Sequence, residues 1–125
     1  MRLLLDTHAA LWWLGDDARF GARAAAHMTA DAAEVLLSAA VVWEVAIKRS
    51  LGKLSAPDGF AATLVRAGAR PLAVTLDHAA AVERLPWHHR DPFDRILVAQ
   101  ARLESATLVS GDAALAAYDV PIVWS

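Results

Sequence analysis

The chain has 125 residues, 57% of them hydrophobic and 21% charged, with a formal net charge of -2. That size and composition allow one buried core, and they exclude a disordered chain or one held to nucleic acid by bulk positive charge. There is no cysteine, so disulfides and thiolate chemistry are excluded, while the cellular compartment is left open by that count.

Arg2 to Leu5 is a short apolar run closed by Asp6, the pattern of a buried strand with an acid at its carboxyl end. The run is too short for a signal-peptide core, and no stretch reaches the ~18 apolar residues of a membrane helix. A soluble, cytoplasmic protein without membrane contact is predicted. Thr7 opens a helical pattern from His8 to Leu14, and Gly21 to Met28 reads as a second helix. Val35 to Ala39 is the second strand. Val41 to Leu51 follows as a helix with Gly52 as its C-cap. It is apolar on nearly every side around Glu44, which predicts burial on nearly every side. Pro57 breaks the pattern, and Asp58 caps a helix from Gly59 to Ala67.

Gly68 to Pro71 reads as a turn, Leu72 to Thr75 as the third strand, and Asp77 to Leu85 as a short helix. Asp91 fits an N-cap and Pro92 the first helical position. Phe93, Ile96, Leu97, Gln100 and Leu103 then mark one face of a helix by their spacing. Thr107 to Val109 is the fourth strand, Ala113 to Tyr118 a short helix, and Pro121 to Trp124 the fifth strand. Strands alternating with helices predict an α/β sandwich on a largely parallel sheet, as one domain over residues 1–125.

The acids fall at telling places. Asp6, Glu44 and Asp112 follow directly on predicted strands, and Asp94 lies in the first turn of its helix. Ligand sites in open α/β sheets form outside the carboxyl ends of strands. Each acid also has a local role open to it. Asp6 and Asp112 could cap helices, Asp94 could partner Asp91 in a capping box, and Glu44 could pair with Lys48 at i, i+4. Four carboxylates at one edge would repel one another and shift upward in pKa. Divalent cations remove that repulsion. Hard ions such as Mg²⁺ prefer carboxylate oxygen, and the arrangement suits phosphodiester chemistry, with water activated on one side and the leaving oxygen stabilised on the other.

Four stretches in this order resemble the PIN-domain family, and within it the VapC-type toxins of toxin–antitoxin pairs. They are Leu-Leu-Leu-Asp6-Thr7-His8, Ser38-Ala-Ala-Val-Val-Trp-Glu44, Arg90-Asp-Pro-Phe-Asp94-Arg and Thr107-Leu-Val-Ser-Gly-Asp112. The resemblance covers nearly the whole chain. It implies a three-layer sandwich on a five-stranded parallel sheet in the order 3-2-1-4-5. It implies a Mg²⁺- or Mn²⁺-dependent endoribonuclease, inhibited by a VapB-type antitoxin whose peptide packs over the site, and a homodimer. By carry-over, Asp6 and Asp94 are the direct metal ligands, and Glu44 and Asp112 complete the catalytic cluster. Thr7 and Ser38 could orient waters or ligands by their hydroxyls, or serve as local caps.

Lys48, Arg90 and Arg95 flank the acidic stretches and are candidates for holding substrate phosphates, since guanidinium groups fit phosphate oxygens in pairs. Solvated helix faces are the alternative, and Arg49 is read that way. His88 and His89 read as a polar loop. Trp12 and Trp13, adjacent on a helix, cannot both face one core. One is expected to pack inside and the other to join a dimer or antitoxin groove. Two other functions fit less well. A phospho-receiver needs an acidic pair just after strand one and a lysine after strand five, but Asp16 and Asp17 come a helix late, and Lys48 and Lys53 lie in the first half. A haloacid-dehalogenase-like phosphatase needs a second aspartate two residues after the first, where His8 stands. A non-catalytic interaction protein on the PIN fold is the remaining alternative.

Overall fold

Leucines at positions 3, 4 and 5 leave the first strand no polar face, so both of its sides must be covered. The computed structural model describes residues 1–125, and in it these three leucines are wholly buried. They form β1 (Arg2–Leu5), the middle of a five-stranded sheet. Around it run α1 (Thr7–Leu14), α2 (Ala22–Thr29), β2 (Glu34–Ser38), α3 (Ala39–Ser50), α4 (Phe60–Arg66), β3 (Arg70–Leu72), α5 (Leu76–Ala81), α6 (Pro92–Leu103), β4 (Thr107–Ser110) and β5 (Ile122–Trp124). The strand order is β3-β2-β1-β4-β5, and every pairing is parallel. The expected order is therefore the observed one.

That order places the site. From β1 the chain goes out to β2 and β3 on one side, then returns to β4 and β5 on the other. The crevice where the direction reverses lies outside the carboxyl ends of β1, β2 and β4. Leu5 pairs with Val109 and Leu4 with Leu36. The residues that follow, Asp6, Ser38 and Ser110, therefore emerge side by side at one edge.

Five expectations shift. The third strand is Arg70–Leu72, two residues before the predicted start, and Ala73 to Thr75 is irregular. Pro71 has no N–H to donate, which is tolerated because β3 is an edge strand. The segment after Asp112 is a 3₁₀ turn, Ala113–Ala117. On α6 the buried set is Leu97, Val98, Ala99, Gln100, Ala101 and, unexpectedly, Arg95, while Leu103 is exposed. Helix α3 is likewise not covered all round: Trp43 is 64% exposed. Trp12 and Trp13 are both half-buried against the core, so neither is the inside member of the pair. No helix is long and apolar enough to cross a membrane.

Candidate active site

Local capping places each acid. Asp6 leaves β1 and caps α1, its Oδ1 accepting the Ala9 N–H at 2.8 Å. Asp112 leaves β4 and caps the 3₁₀ turn, its Oδ1 accepting the Ala114 N–H at 3.0 Å. Asp91 caps α6 ahead of Pro92, accepting from Phe93 at 2.8 Å. That start sets Asp94 in the first turn, its side chain turned to the same crevice. Glu44 lies less than two turns into α3, which Ser38 caps. The capping roles and the shared edge are thus not alternatives. Asp6 and Asp112 each cap with Oδ1 and have Oδ2 left for further partners, His89 Nε2 in the case of Asp112.

Asp6, Thr7, His8, Glu44, Lys48, His89, Asp91, Asp94 and Asp112 line one cleft of about 190 Å³, with no hydrophobic residue among them. Asp6 and Glu44 are 5% and 4% exposed. The Thr7 hydroxyl donates to Glu44 Oε1 at 2.5 Å, and Lys48 Nζ lies 2.5 Å from Oε2. The i, i+4 pair read from the sequence forms, inside the cleft. His89 Nε2 is 3.2 Å from Asp94 Oδ2 and 3.0 Å from Asp112 Oδ2.

The cleft carries more negative charge than it can quiet. Burial pushes Asp94 up to about 7, helped by Asp91, Asp6 and Glu44 and opposed by His89. Burial also raises Asp6, against the pull of the Ser110 hydroxyl and the Ala9 N–H. For Asp112 burial acts upward too, but the Ala114 N–H and His89 outweigh it and hold the carboxyl low. Lys48 is raised by its bond to Glu44, with Asp91 and Asp94 adding to the attraction. Two carboxyls pushed upward within one crevice mark a place where bound positive charge would be stabilising.

The donor chemistry fits a hard divalent cation. The cleft offers carboxylate oxygens and no sulfur, the set that suits Mg²⁺ or Mn²⁺. Carboxylate oxygens of Asp94 and Asp112 lie within 4.8 Å of one another. A larger hollow of about 530 Å³ between α3, α5 and α6, lined by Trp43, Val82, Phe93 and Ile96, holds no ionisable group. Its size does not make it the site of chemistry.

Among the predicted supporting residues, Thr7 reaches the cleft and Ser38 does not. The Ser38 hydroxyl is fully buried, accepts the Ala40 N–H and donates to Gln100 Oε1 at 2.6 Å. Arg95 is removed from phosphate binding altogether. It is 2% exposed, and its guanidinium donates to the carbonyls of Val82, Leu85, Pro86 and His89 and to the Tyr118 hydroxyl, while it stacks on Trp87 at 3.8 Å. Successive helical residues point about 100° apart, so Asp94 and Arg95 serve different surfaces. Arg90 is exposed beside the cleft. Sequence reasoning missed His89 and Asp91 as members of the cleft. The available signal was a histidine two residues ahead of an N-cap aspartate, at the mouth of the acid-bearing helix.

A parallel five-stranded domain that gathers carboxylates at its switch point belongs to a narrow class of α/β proteins. The chain matches the PIN domain model over residues 3–121 and belongs to that family. No curated protein sequence matches it. Its fold is shared with VapBC2 from Rickettsia felis bound to a promoter DNA fragment, at 12% identity and a TM-score of 0.73, covering 99% of this chain and 98% of that one. It is shared with a toxin–antitoxin complex from Klebsiella pneumoniae, at 17% identity and a TM-score of 0.65, covering 97% and 95%. FitAcB from Neisseria gonorrhoeae is similar at 20% identity and a TM-score of 0.58, covering 96% and 95%.

Proposed function

We propose that this chain is a divalent-cation-dependent endoribonuclease and the toxin of a toxin–antitoxin pair. The observation that carries the reading is the meeting of Asp6, Glu44, Asp94 and Asp112, from four separate segments, in one polar cleft. Asp6 and Asp94 hold the cation directly, as Mg²⁺ or Mn²⁺. Glu44, kept in place by Thr7 and Lys48, and Asp112 complete the cluster. The bound cation supplies water activation and neutralises charge gathering on the phosphate. Lys48 and Arg90 meet the phosphates of the RNA strand.

The structural neighbours named above are toxin–antitoxin assemblies, which supports a VapB-type antitoxin as partner, its peptide packing over the cleft. A homodimer is the proposed assembly. The exposed Trp43 and the apolar hollow between α3, α5 and α6 support it, because contiguous apolar surface of that kind marks association.

The test is cleavage of RNA by the purified chain with Mg²⁺, with chelator, and after Asp94→Asn. Cleavage that needs the cation and is lost in the folded variant supports the reading. Cleavage by Asp94→Asn at the parent rate contradicts it. A chain that neither binds Mn²⁺ nor cuts RNA is the non-catalytic interaction protein instead.

A further inference from the structure

His89 is the member of the cleft that no acidic stretch accounts for, and its surroundings are built with care. Arg95 reaches from α6 to the carbonyls of Val82, Leu85, Pro86 and His89, so one buried guanidinium gathers the loop before the helix. The Tyr118 hydroxyl, itself bound by Arg95, accepts the His89 N–H at 3.0 Å. The main chain of His89 is thereby held at the cleft.

Its hydrogen is assigned by its neighbours. The Asp91 N–H donates to His89 Nδ1 at 3.0 Å. A ring nitrogen that accepts a hydrogen bond carries no hydrogen, which leaves the hydrogen on Nε2. Nε2 hydrogen-bonds Asp112 Oδ2 at 3.0 Å and lies 3.2 Å from Asp94 Oδ2. Asp112 is already tied at its other oxygen by the Ala114 N–H. It is therefore a fixed post, and the hydrogen bond His89 makes to it holds the imidazole against the carboxylate of Asp94.

We propose that His89 is a positioning residue whose Nε2–H, donated to Asp112, holds the ring against Asp94 and sets the spacing of the two carboxylates for cation binding. The proposal rests on the nuclease reading above and adds a residue to it. The same geometry gives His89 no role as a base or a cation ligand, because Nε2 has no free lone pair while Asp91 occupies Nδ1.

Two measurements on the purified chain test this, with Mn²⁺ alone as the probe. Long-range proton–nitrogen NMR reads the His89 tautomer in the unaltered protein, and the Nε2-hydrogen form is expected. Mn²⁺ affinity by electron paramagnetic resonance is then compared across His89→Ala, His89→Gln and Asp94→Asn. Loss of an orienting partner weakens metal sites about 10- to 100-fold, and that is the expected effect of His89→Ala. His89→Gln keeps an N–H at a similar reach and should bind Mn²⁺ close to the parent. An Nδ1-hydrogen tautomer overturns the proposal, as does parental affinity in a folded His89→Ala. So does a His89→Gln variant that falls as far as His89→Ala, which would mark a ligand. If His89→Ala does not fold, the tautomer and His89→Gln decide. Asp94→Asn separates the two levels. If it binds Mn²⁺ like the parent, the cation reading fails and takes the proposal with it. If it alone loses Mn²⁺, only the role of His89 fails.

Discussion

Two polar clusters are buried in this molecule, and each contains a histidine, a carboxylate and a helix-capping side chain. Beneath α5 and α6, Ser38 donates to Gln100, Gln100 donates to the Ala73 carbonyl at 3.2 Å, and His78 Nε2 meets Glu104 at 2.9 Å. His78 also completes a capping box with Thr75. Glu104 has Arg2 beside it as well as His78. At the sheet edge, by contrast, five acids share a cleft with Lys48, His8 and His89. The pKa directions separate the two clusters. His78 and Arg2 hold the Glu104 carboxyl down despite partial desolvation, whereas Asp6 and Asp94 are pushed up. A satisfied network stabilises the fold, and an unsatisfied one of a single sign leaves a place for a ligand.

The sharpest way to break this contrast is to remove one acid from the cleft. Asp94→Asn takes a direct ligand from the cleft. Its RNA cleavage should fall by more than the ~10- to 100-fold that an orienting partner costs. Without cation at pH 8 the same variant should melt higher than the parent, because it relieves like-charge crowding; calorimetry reads the sign. A variant that loses both activity and stability would place Asp94 in the structural group instead.

Arg95 tests the boundary between the clusters. Replacing it with Met takes the guanidinium donor from all five acceptors and leaves the carbonyls of Leu85 and Pro86 without a partner. A loss of about 3 kcal/mol in denaturant unfolding is expected, since bonds to charged groups contribute ~1.5–3 kcal/mol and orphaned buried acceptors cost more. An exposed phosphate-binding arginine would change stability by no more than ~0.5 kcal/mol.

Gln100→Leu should cost about 1–3 kcal/mol by stranding the Ser38 hydroxyl and the Ala73 carbonyl. Its Mn²⁺ affinity should move much less than that of any acid variant. A fall in affinity comparable with that of Asp94→Asn would join the two clusters into one functional unit.

A further test is the pH slope. Asp94 stands at about 7 in the folded chain against an ordinary value of 3.8. Below the ordinary value both states hold the proton, and above it only the folded state does. The contribution of Asp94 to stability is therefore complete at low pH and is lost as pH rises through 3.8 towards about 7. The raised Asp6 acts with the same sign. Mg²⁺ should offset this loss most at the alkaline end, and thermal melts across pH with and without the ion measure it.

Much of this was legible in the residues. The leucine run closed by Asp6, the Asp91–Pro92 start of α6 and the alternation of elements were enough for the strand order once the resemblance was added. What escaped depended on partners distant in the chain. β3 was displaced because a proline counts against a strand unless its edge position is known, and that position is set by pairing with β2. Arg95 looked like a phosphate binder because it adjoins Asp94, yet its direction is set by the carbonyls of a loop some ten residues earlier. His89 looked like loop because Tyr118 and Asp112, which place and use it, lie beyond the next strand. For Ser38 a local cap is one of two roles the sequence allows, and its bond to Gln100 joins residues 62 apart.

The most direct test of the central claim is anomalous diffraction from crystals of the chain soaked in Mn²⁺. A single strong peak bounded by the carboxylates of Asp6 and Asp94, at the ~2.0–2.2 Å expected for a small divalent cation, is predicted. An occupied lattice site elsewhere with no peak in this cleft, or a peak that persists there in Asp94→Asn at full strength, would contradict it.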